Sequence, residues 1–208
     1  MRGLLRDLNR LKKNGVKEKV NSRIKEFKSF RRKASSKIFK ELCFCILAAN
    51  STAERCIIVH NNVGDGFLDL RKNQLQKKLK ECGARFHTKR AGYIAGARKY
   101  KDTIKDVLRF FKDENKRRDW LVKNIKGIGY KEASHFLRNI GYDNYAILDF
   151  HIIDVLKKYH IIRRPKNLNK TNYLKIEEKL KNIADEANLS LGELDLYLWC
   201  METGKVLK

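Results

Sequence analysis

The amino-acid sequence predicts an all-α fold, and three observations carry that prediction. Proline occurs once in the 208 residues, at Pro165. No long stretch alternates apolar and polar residues, which would be typical of strands. Apolar residues recur instead three and four positions apart, the spacing that lines one face of an α-helix. Because 42% of the residues are hydrophobic, a chain of this length can bury a core, and we expect one domain of packed helices.

Stripes of apolar residues divide the first 111 residues into helices. Asn14-Gly15 ends the first helix, because both residues are common at helix ends. The side-chain oxygen of Ser51 or Thr52 is placed to cap a later helix, and that of Thr88 another. The third stripe covers more than one side of its helix, which predicts that this helix is buried on more than one side. In order, the stripes are Leu4, Leu5, Leu8 and Leu11; Val16, Val20, Ile24 and Phe27; Ile38, Leu42, Cys45, Ile46 and Ala49; Ile57 and Ile58; Leu68, Leu75 and Leu79; Tyr93, Ile94 and Ala97; and Ile104, Val107, Leu108 and Phe111.

The second half of the chain continues with helices separated by glycines and caps. A helix after Gly129 is predicted to stop at Gly141. A short apolar run, 145–148, follows, and Asp149 stands where the next helix begins. The last two helices are predicted over 173–187 and 191–201, the second capped by Ser190. The stripes here are Trp120, Leu121 and Ile125; Ala133, Phe136, Leu137 and Ile140; and Ile152, Ile153 and Leu156.

The charge of the chain is strongly positive and unevenly distributed. There are 48 Lys and Arg residues against 24 Asp and Glu, a net charge of +24. Half of this excess lies in residues 1–40. A basic excess of this size favours a polyanionic partner, most often a nucleic acid. A solvated helix surface would explain the basic N-terminal segment equally well.

Other classes of protein are disfavoured by what the sequence lacks. No run of 18 apolar residues predicts a transmembrane helix, and the N-terminus has no apolar signal-peptide core, so we expect an intracellular protein without a membrane partner. The five cysteines include no C-x-x-C pair, so neither a zinc site nor an iron–sulfur cluster has its usual spacing. We expect these thiols to be reduced.

The Gly127-Ile128-Gly129 turn is the strongest local motif. Glycines remove the side chains that would block a close approach, and the helix start behind them offers free N–H groups to an anion. The motif therefore predicts a phosphate site at Gly127 and Gly129, with the charge of Lys126 beside it. A K⁺ or Na⁺ ion can share the turn carbonyls of the two glycines. The alternative is an ordinary tight turn between two helices.

With its flanking apolar residues, this turn resembles the motif of the helix–hairpin–helix DNA glycosylase superfamily. The segments Arg90–Ile94 and Leu194–Lys208 are similar to the archaeal type 2 branch of 8-oxoguanine DNA glycosylases. The resemblance implies two helical lobes around a DNA-binding cleft within a single domain, 1–208. Lobe A would comprise approximately 1–40 and 145–208, lobe B 41–144, and the hairpin motif 118–140. Lys126 and the run 146–148 depart from the usual prolines of the family, but neither change removes a reactive group.

The resemblance also implies catalytic roles for Lys131 and Asp149, which lie 18 residues apart. An amine can attack C1′ of a damaged nucleotide, expel the base and form a Schiff base with the opened sugar, after which β-elimination nicks the strand. The carboxylate would stabilise positive charge at C1′ and help to move protons. Neither a cofactor nor a catalytic metal is required. We interpret His151 as a structural or phosphate-contacting residue.

Recognition of the base is expected elsewhere in the chain. An enzyme of this class must flip the base out and read it by stacking and edge hydrogen bonds. Phe86 and Trp199 are candidates for stacking, although either is also compatible with a place in the core. The resemblance assigns the distinction between 8-oxoguanine and guanine to Lys208, the last residue. The alternative for Lys208 is a frayed tail.

The expected function is thus removal of 8-oxoguanine from double-stranded DNA, followed by cleavage of the abasic site. We expect a monomer acting on the nucleoid in the cytoplasm, and the resemblance implies an archaeal source. Two alternatives stay open at this point. One is a glycosylase for another oxidised base, and the other is a non-catalytic DNA-binding helix–hairpin–helix module.

Overall fold

The computed structural model describes residues 1–207, and within that range the chain forms helices, turns and irregular segments but no strand. The predicted all-α fold is therefore confirmed. The helices are α1 (Arg2–Lys13), α2 (Val16–Phe30), α3 (Ser35–Ala48), α4 (Ala53–Val63), α5 (Gly66–Asp69), α6 (Lys72–Glu81), α7 (His87–Ala97), α8 (Ile104–Phe110), α9 (Glu114–Asn124), α10 (Tyr130–Asn139), α11 (Phe150–Lys158), α12 (Lys170–Glu186) and α13 (Leu191–Thr203), with a short 3₁₀ helix at Arg98–Tyr100. None of the helices in residues 1–207 is long and apolar enough to cross a membrane.

The chain divides into two compact units. The first contains Met1–Ser29 together with the chain from Leu137 onward, and the second contains Phe30–Phe136. The division falls inside α10, so this helix begins in the second unit and ends in the first. Lys131 belongs to the second unit and Asp149 to the first.

Helix α3 is the centre of the second unit. Every residue from Leu42 to Ala48 is buried, so this helix has no solvent face along its second half. It packs against α4, α5, α7 and α8. The sequence prediction of a helix buried on more than one side is confirmed.

Arginine side chains satisfy backbone carbonyls at helix ends in the second unit. The last carbonyls of a helix have no partner within it, and Arg98 donates to those of Phe67 and Leu70 at the end of α5, at 2.8 and 2.5 Å. It also donates at 3.2 Å to the Gly66 carbonyl, which accepts from the Leu70 amide as well. Arg117 does the same after α8, on Leu108 and Phe111. Part of the basic excess is therefore structural and is not available to a polyanion.

The caps show where local sequence determined the helix boundaries. Thr52 caps α4 by accepting a hydrogen bond from the Arg55 amide, and Ser190 caps α13, as predicted. The prediction that Thr88 caps a helix is wrong. Helix α7 begins at His87, two residues earlier than a Thr88 cap would place it, and the N-cap is Phe86, which adopts a left-handed conformation with φ +53°. Thr88 consequently lies inside the first turn.

All five cysteines are free thiols, and four of them, Cys43, Cys45, Cys56 and Cys200, are buried. Burial raises the pKa of Cys43 well above its usual value and also raises the pKa of Cys56 and Cys200. Cys82 is half-buried. Cys45, a member of the third apolar stripe, is fully buried.

Candidate functional site

The glycine turn connects α9 and α10, as the sequence predicted. Helix α9 closes with a hydrogen bond from the Ile125 amide to the Leu121 carbonyl, at 2.9 Å. The turn is held by a bond from the Ile128 amide to the Ile125 carbonyl, at 3.3 Å. The apolar side chains of Leu121, Ile125 and Ile128 are buried, whereas Lys126, Gly127 and Gly129 are exposed. The turn thus shows its backbone to solvent while its apolar side chains anchor it.

The two glycines of the turn have different structural requirements. Gly127 has φ +84°, and a Cβ atom there would lie 2.4 Å from Cδ2 of Tyr93, so both backbone conformation and space require glycine. Gly129 has no positive φ, and a Cβ atom there would lie 3.4 Å from the nearest atom, Oε2 of Glu132. The Gly129 carbonyl accepts a hydrogen bond from the Ala133 amide at 2.9 Å, and the second lone pair of its oxygen leaves the predicted K⁺ or Na⁺ contact chemically reasonable.

Lys131 is the second residue of α10 and follows the exposed turn directly. Its side chain is 25% exposed, and its Nζ lies 3.4 Å from Oε1 of Glu132. The neighbouring Cys56 thiol has a pKa raised by burial, against the lowering effects of a hydrogen bond with Ser51 and of charges that include Lys131. The amine therefore lies beside a carboxylate and is still reachable from solvent.

A network of polar side chains holds the start of α10 against α9. The buried Arg118 guanidinium donates to Ser134 Oγ at 3.2 Å and to Asn115 Oδ1 at 2.9 Å, and it lies 5.1 Å from the centre of the Tyr130 ring. The Tyr130 hydroxyl donates to the Asp119 carboxylate. The sequence analysis missed this role, although one signal was present. Arg118 lies three residues before Leu121 on the buried stripe of α9, where a solvated basic residue is unexpected.

Asp149 is the N-cap of α11, where the sequence predicted a helix start. Its Oδ1 accepts a hydrogen bond from the Ile152 amide at 2.9 Å, and its own amide donates to the Ile147 carbonyl at 3.2 Å. A carboxylate at this position is stabilised by the positive end of the helix dipole. The side chain is half-buried.

Three aromatic rings contact one another close to Asp149 in the sequence and in the same unit. The Phe150 and His151 ring centres lie 3.9 Å apart, and the His151 and Trp199 ring centres lie 4.5 Å apart with nearly perpendicular planes. Phe150 is 65% exposed. The Trp199 indole N–H is buried and has no hydrogen-bond acceptor among residues 1–207. The Trp199 ring thus contacts His151, which lies two residues after Asp149 in the sequence.

Phe86 lies in the other unit and is not a core residue. Its ring is 53% exposed, and the guanidinium groups of Arg85 and Arg90 lie 5.1 and 5.7 Å from its centre. The same two arginines donate to the backbone carbonyls of Asn50 and Ala49. A left-handed, exposed aromatic residue held by cations is compatible with stacking on a base. Lys208, the remaining residue predicted to read the base, lies outside the residues that the structure describes.

An all-helical chain with an exposed glycine hairpin, a lysine behind it and an aspartate capping a later helix has the features of helix–hairpin–helix DNA glycosylases. Comparison with known families supports that class. The family model described as 8-oxoguanine DNA glycosylase (Ogg-HhH) matches residues 20–189. The chain belongs to this family.

Relatives and solved structures agree with that assignment over nearly the whole chain. The 8-oxoguanine DNA glycosylase/AP lyase of Methanocaldococcus jannaschii is 52% identical and that of Korarchaeum cryptofilum 48% identical, and each similarity covers 99% of this chain and at least 98% of the relative. The crystal structure of the Methanocaldococcus jannaschii enzyme in complex with a 15mer DNA containing 8-oxoguanine has a TM-score of 0.96 at 51% identity, covering 99% of both chains. The 8-oxoguanine DNA glycosylase of Thermotoga maritima has a TM-score of 0.94 at 40% identity, covering both chains completely.

Proposed function

We propose that this protein is a bifunctional DNA glycosylase/AP lyase that excises 8-oxoguanine from double-stranded DNA and cleaves the abasic site. The observation that carries the proposal is the placement of Lys131. Its amine is partly exposed on the first turn of α10, directly behind the exposed Gly127–Gly129 turn. A phosphate gripped by the turn would bring the sugar of a flipped nucleotide to a nucleophile.

Lys131 performs the covalent chemistry in this proposal. The neutral amine attacks C1′, the glycosidic bond breaks, and the base leaves with its bonding electron pair and takes up a proton. The amine then loses a proton, the C1′–O4′ bond breaks with O4′ taking up that proton, and a Schiff base between Nζ and C1′ is left. Removal of a C2′ proton then expels the 3′ phosphate, and water releases the lysine. The overall reaction needs neither an oxidant nor a cofactor.

Asp149 stabilises the positive charge that develops at C1′ as the base departs. Its carboxylate is fixed by the Ile152 amide and is therefore held in one orientation before the substrate binds. The positive end of the helix dipole favours the charged form of a carboxylate at this position. The same group can carry a proton between steps of the reaction.

The hairpin supplies the grip on the DNA backbone. The amides of Gly127 and Gly129 contact a phosphate, and the exposed Lys126 adds a positive charge beside it. Such contacts fix register but carry no sequence information. A K⁺ or Na⁺ ion at the carbonyls of the two glycines would bridge the turn and the phosphate.

Base selection is assigned to Lys208, Trp199 and Phe86. N7 of 8-oxoguanine carries a proton and is a donor, whereas N7 of guanine is an acceptor, so a backbone or terminal acceptor near Lys208 discriminates between them. Trp199 and Phe86 provide aromatic surface for stacking. Deletion of Lys208 is expected to reduce the preference for 8-oxoguanine over guanine. Unchanged kinetics on both duplexes would remove Lys208 from this role.

Borohydride trapping on duplex DNA with a single 8-oxoguanine tests the central proposal. The wild-type protein should form a covalent complex and nick the strand, whereas Lys131→Gln should bind the duplex and do neither. Lys123→Gln, at an exposed lysine of α9, is the matched control and should be trapped like the wild type. Trapping of Lys131→Gln would show that another amine is the nucleophile.

The remaining alternatives are separated by the same assay. Tight binding without nicking on any lesion would indicate a non-catalytic DNA-binding module. A panel of duplexes with other single lesions identifies a glycosylase for a different oxidised base. We also propose that the protein acts on the nucleoid in the cytoplasm of an archaeal cell and that it is a monomer. Sedimentation with and without the duplex would test the monomeric state.

A further inference from the structure

The segment 145–148 is buried and belongs to neither a helix nor a sheet. Its four side chains are at most 6% exposed, so its backbone amides and carbonyls are also withdrawn from water. Buried backbone groups need hydrogen-bond partners, and a strand would find them on a neighbouring strand. Here there is no strand within residues 1–207 to provide them. The segment leads directly into Asp149.

Two side chains of α12 provide hydrogen-bond partners of the kind that a neighbouring strand would provide. The Tyr173 hydroxyl accepts a hydrogen bond from the Leu148 amide at 3.2 Å and donates one to the Ala146 carbonyl at 2.6 Å. One helical turn later, Oε2 of Glu177 accepts a hydrogen bond from the Ala146 amide at 3.0 Å. Tyr173 is 1% exposed and Glu177 4% exposed, so neither side chain is available to solvent.

These bonds fix the backbone immediately before Asp149. The Leu148 amide and the Ile147 carbonyl belong to one peptide plane, and that carbonyl accepts a hydrogen bond from the Asp149 amide at 3.2 Å. On its other side, the Asp149 carboxylate is fixed by the Ile152 amide of α11. The Ile152 amide thus fixes the carboxylate on the side of α11, and the Tyr173 hydroxyl fixes the backbone on the side of residues 145–148.

We infer that Tyr173, supported by Glu177, is a positioning residue that sets the orientation of the Asp149 carboxylate for the chemical step. This inference rests on the catalytic role proposed for Asp149. Neither α12 side chain touches the substrate. Their effect on the rate is transmitted through Asp149 alone, because the segment they hold carries no other group assigned to the reaction.

The experiment compares Tyr173→Phe with Tyr159→Phe. Both substitutions remove one phenolic hydroxyl from the same unit. Tyr159, however, follows the last residue of α11, and its hydroxyl donates a hydrogen bond to Asp7 at 2.7 Å. The readout is the single-turnover rate of nicking on 8-oxoguanine duplex with enzyme in excess. Tyr173→Phe should lower this rate by about 10–100-fold, since a small displacement of a reacting group has an effect of that size. Tyr159→Phe should retain the wild-type rate, and both should bind the duplex equally.

A second arm introduces Tyr173→Phe into the Asp149→Asn protein. If Tyr173 acts through Asp149, the added substitution should change the residual rate less than about twofold, because the two effects are not independent. A loss as large as in the wild-type background would mean a general structural defect and would overturn the inference. Glu177→Gln keeps an acceptor for the Ala146 amide and should stay close to the wild-type rate, whereas Glu177→Leu should not.

Amide hydrogen exchange reports the anchor independently of activity. Exchange at Leu148 should be faster in Tyr173→Phe than in the wild type and unchanged in Tyr159→Phe. If Asp149→Asn is slow but Tyr173→Phe nicks at the wild-type rate, the positioning role alone is overturned. If Asp149→Asn nicks as fast as the wild type, the proposed role of Asp149 fails, and the positioning role fails with it.

Discussion

Tyr130 donates a hydrogen bond to the carboxylate of Asp119, so the residue next to Lys131 is tied to the helix that precedes the hairpin. The Arg118 guanidinium lies against the face of the same Tyr130 ring. The nucleophile proposed here therefore projects from a helix start that is fixed by α9 across the turn. A lysine side chain has four rotatable bonds. Fixing the backbone from which it projects reduces the volume that its amine explores.

Loss of the Tyr130 hydroxyl should weaken this tie. Tyr130→Phe is expected to lower the free energy of unfolding by about 1–2 kcal/mol, because the acceptor is charged. It should also slow borohydride trapping, measured as the initial rate of covalent complex formation. Tyr100→Phe is the control, since that hydroxyl makes only a long contact of 3.5 Å with Asn124 and should cost less than about 0.5 kcal/mol. Equal trapping rates in the two variants would contradict a role for the tie.

The two functions of Asp149 can be separated by a pair of substitutions. Asparagine caps a helix about as well as aspartate, so Asp149→Asn should change the free energy of unfolding by only a few tenths of a kcal/mol, whereas Asp149→Ala should cost about 1 kcal/mol. Both should reduce nicking by about 10²–10⁴-fold, because both remove the charge. Urea denaturation and single-turnover nicking give the two quantities. Nicking by Asp149→Asn at the wild-type rate would leave Asp149 as a cap only.

Alanine at the hairpin glycines should have unequal effects. Gly127→Ala places a Cβ atom against Tyr93 in addition to the strain of φ +84°, and we expect a loss of more than about 2 kcal/mol together with weaker DNA binding. Gly83→Ala provides the strain without the contact, because nothing lies within 4 Å, and should cost about 1–2 kcal/mol. Gly129→Ala should be mild, within about 0.5 kcal/mol. Thermal melts of the three variants rank these costs, and an equal loss in Gly127→Ala and Gly83→Ala would exclude the Tyr93 contact.

Lys126 should contribute to DNA affinity through charge alone. Lys126→Ala is expected to weaken binding to lesion and undamaged duplexes by the same factor. It should also reduce the slope of log K against log salt concentration by about 0.9, the value for one lost phosphate contact. Lys80→Ala, at an exposed lysine of α6, is the control. A change in the preference between the two duplexes would mean that Lys126 reads more than the backbone.

The Tyr159–Asp7 pair should make stability depend on pH at both extremes. Burial and the hydrogen bond to Asp7 raise the pKa of Tyr159 from 10.0 to about 12. The stabilisation is therefore complete below pH 10.0 and is lost as the pH rises through about 12. The Tyr159 hydrogen bond lowers the pKa of Asp7 from 3.8, so its contribution is present above that value and is lost as the pH falls below it. Urea denaturation of the wild type should show both losses, and Tyr159→Phe should flatten both.

The sequence alone was sufficient for those features that depend on neighbouring residues. The stripes of α3 and α10, the cap residues Thr52 and Ser190, and the helix start at Asp149 all follow from spacing or from a single side chain. The glycine turn between α9 and α10 is equally local. Each of these features depends on residues no more than a few positions apart, so its pattern can be recognised in the amino-acid sequence.

The features that escaped prediction depend on distant contacts or on unusual backbone conformations. Phe86 adopts a left-handed conformation that is uncommon for an aromatic residue, and this moved the start of α7 away from Thr88. Tyr173 and Glu177 bond a segment 25–31 residues away, and only the folded chain brings them together. The sequence indicated no role for the arginines at 98, 117 and 118, whose partners are carbonyls and side chains distant from them in the chain.

The burial of the thiols has a consequence for an enzyme whose substrate is a product of oxidation. Peroxide attacks the thiolate form of cysteine, and access and a low pKa favour that attack. Cys43, Cys56 and Cys200 are buried with raised pKa, so these sulfur atoms are held in the form and the place that react most slowly. The half-buried Cys82, at the end of α6, is the thiol that an oxidant reaches first. The fold thus protects most of its own sulfur from the chemistry that creates the lesion.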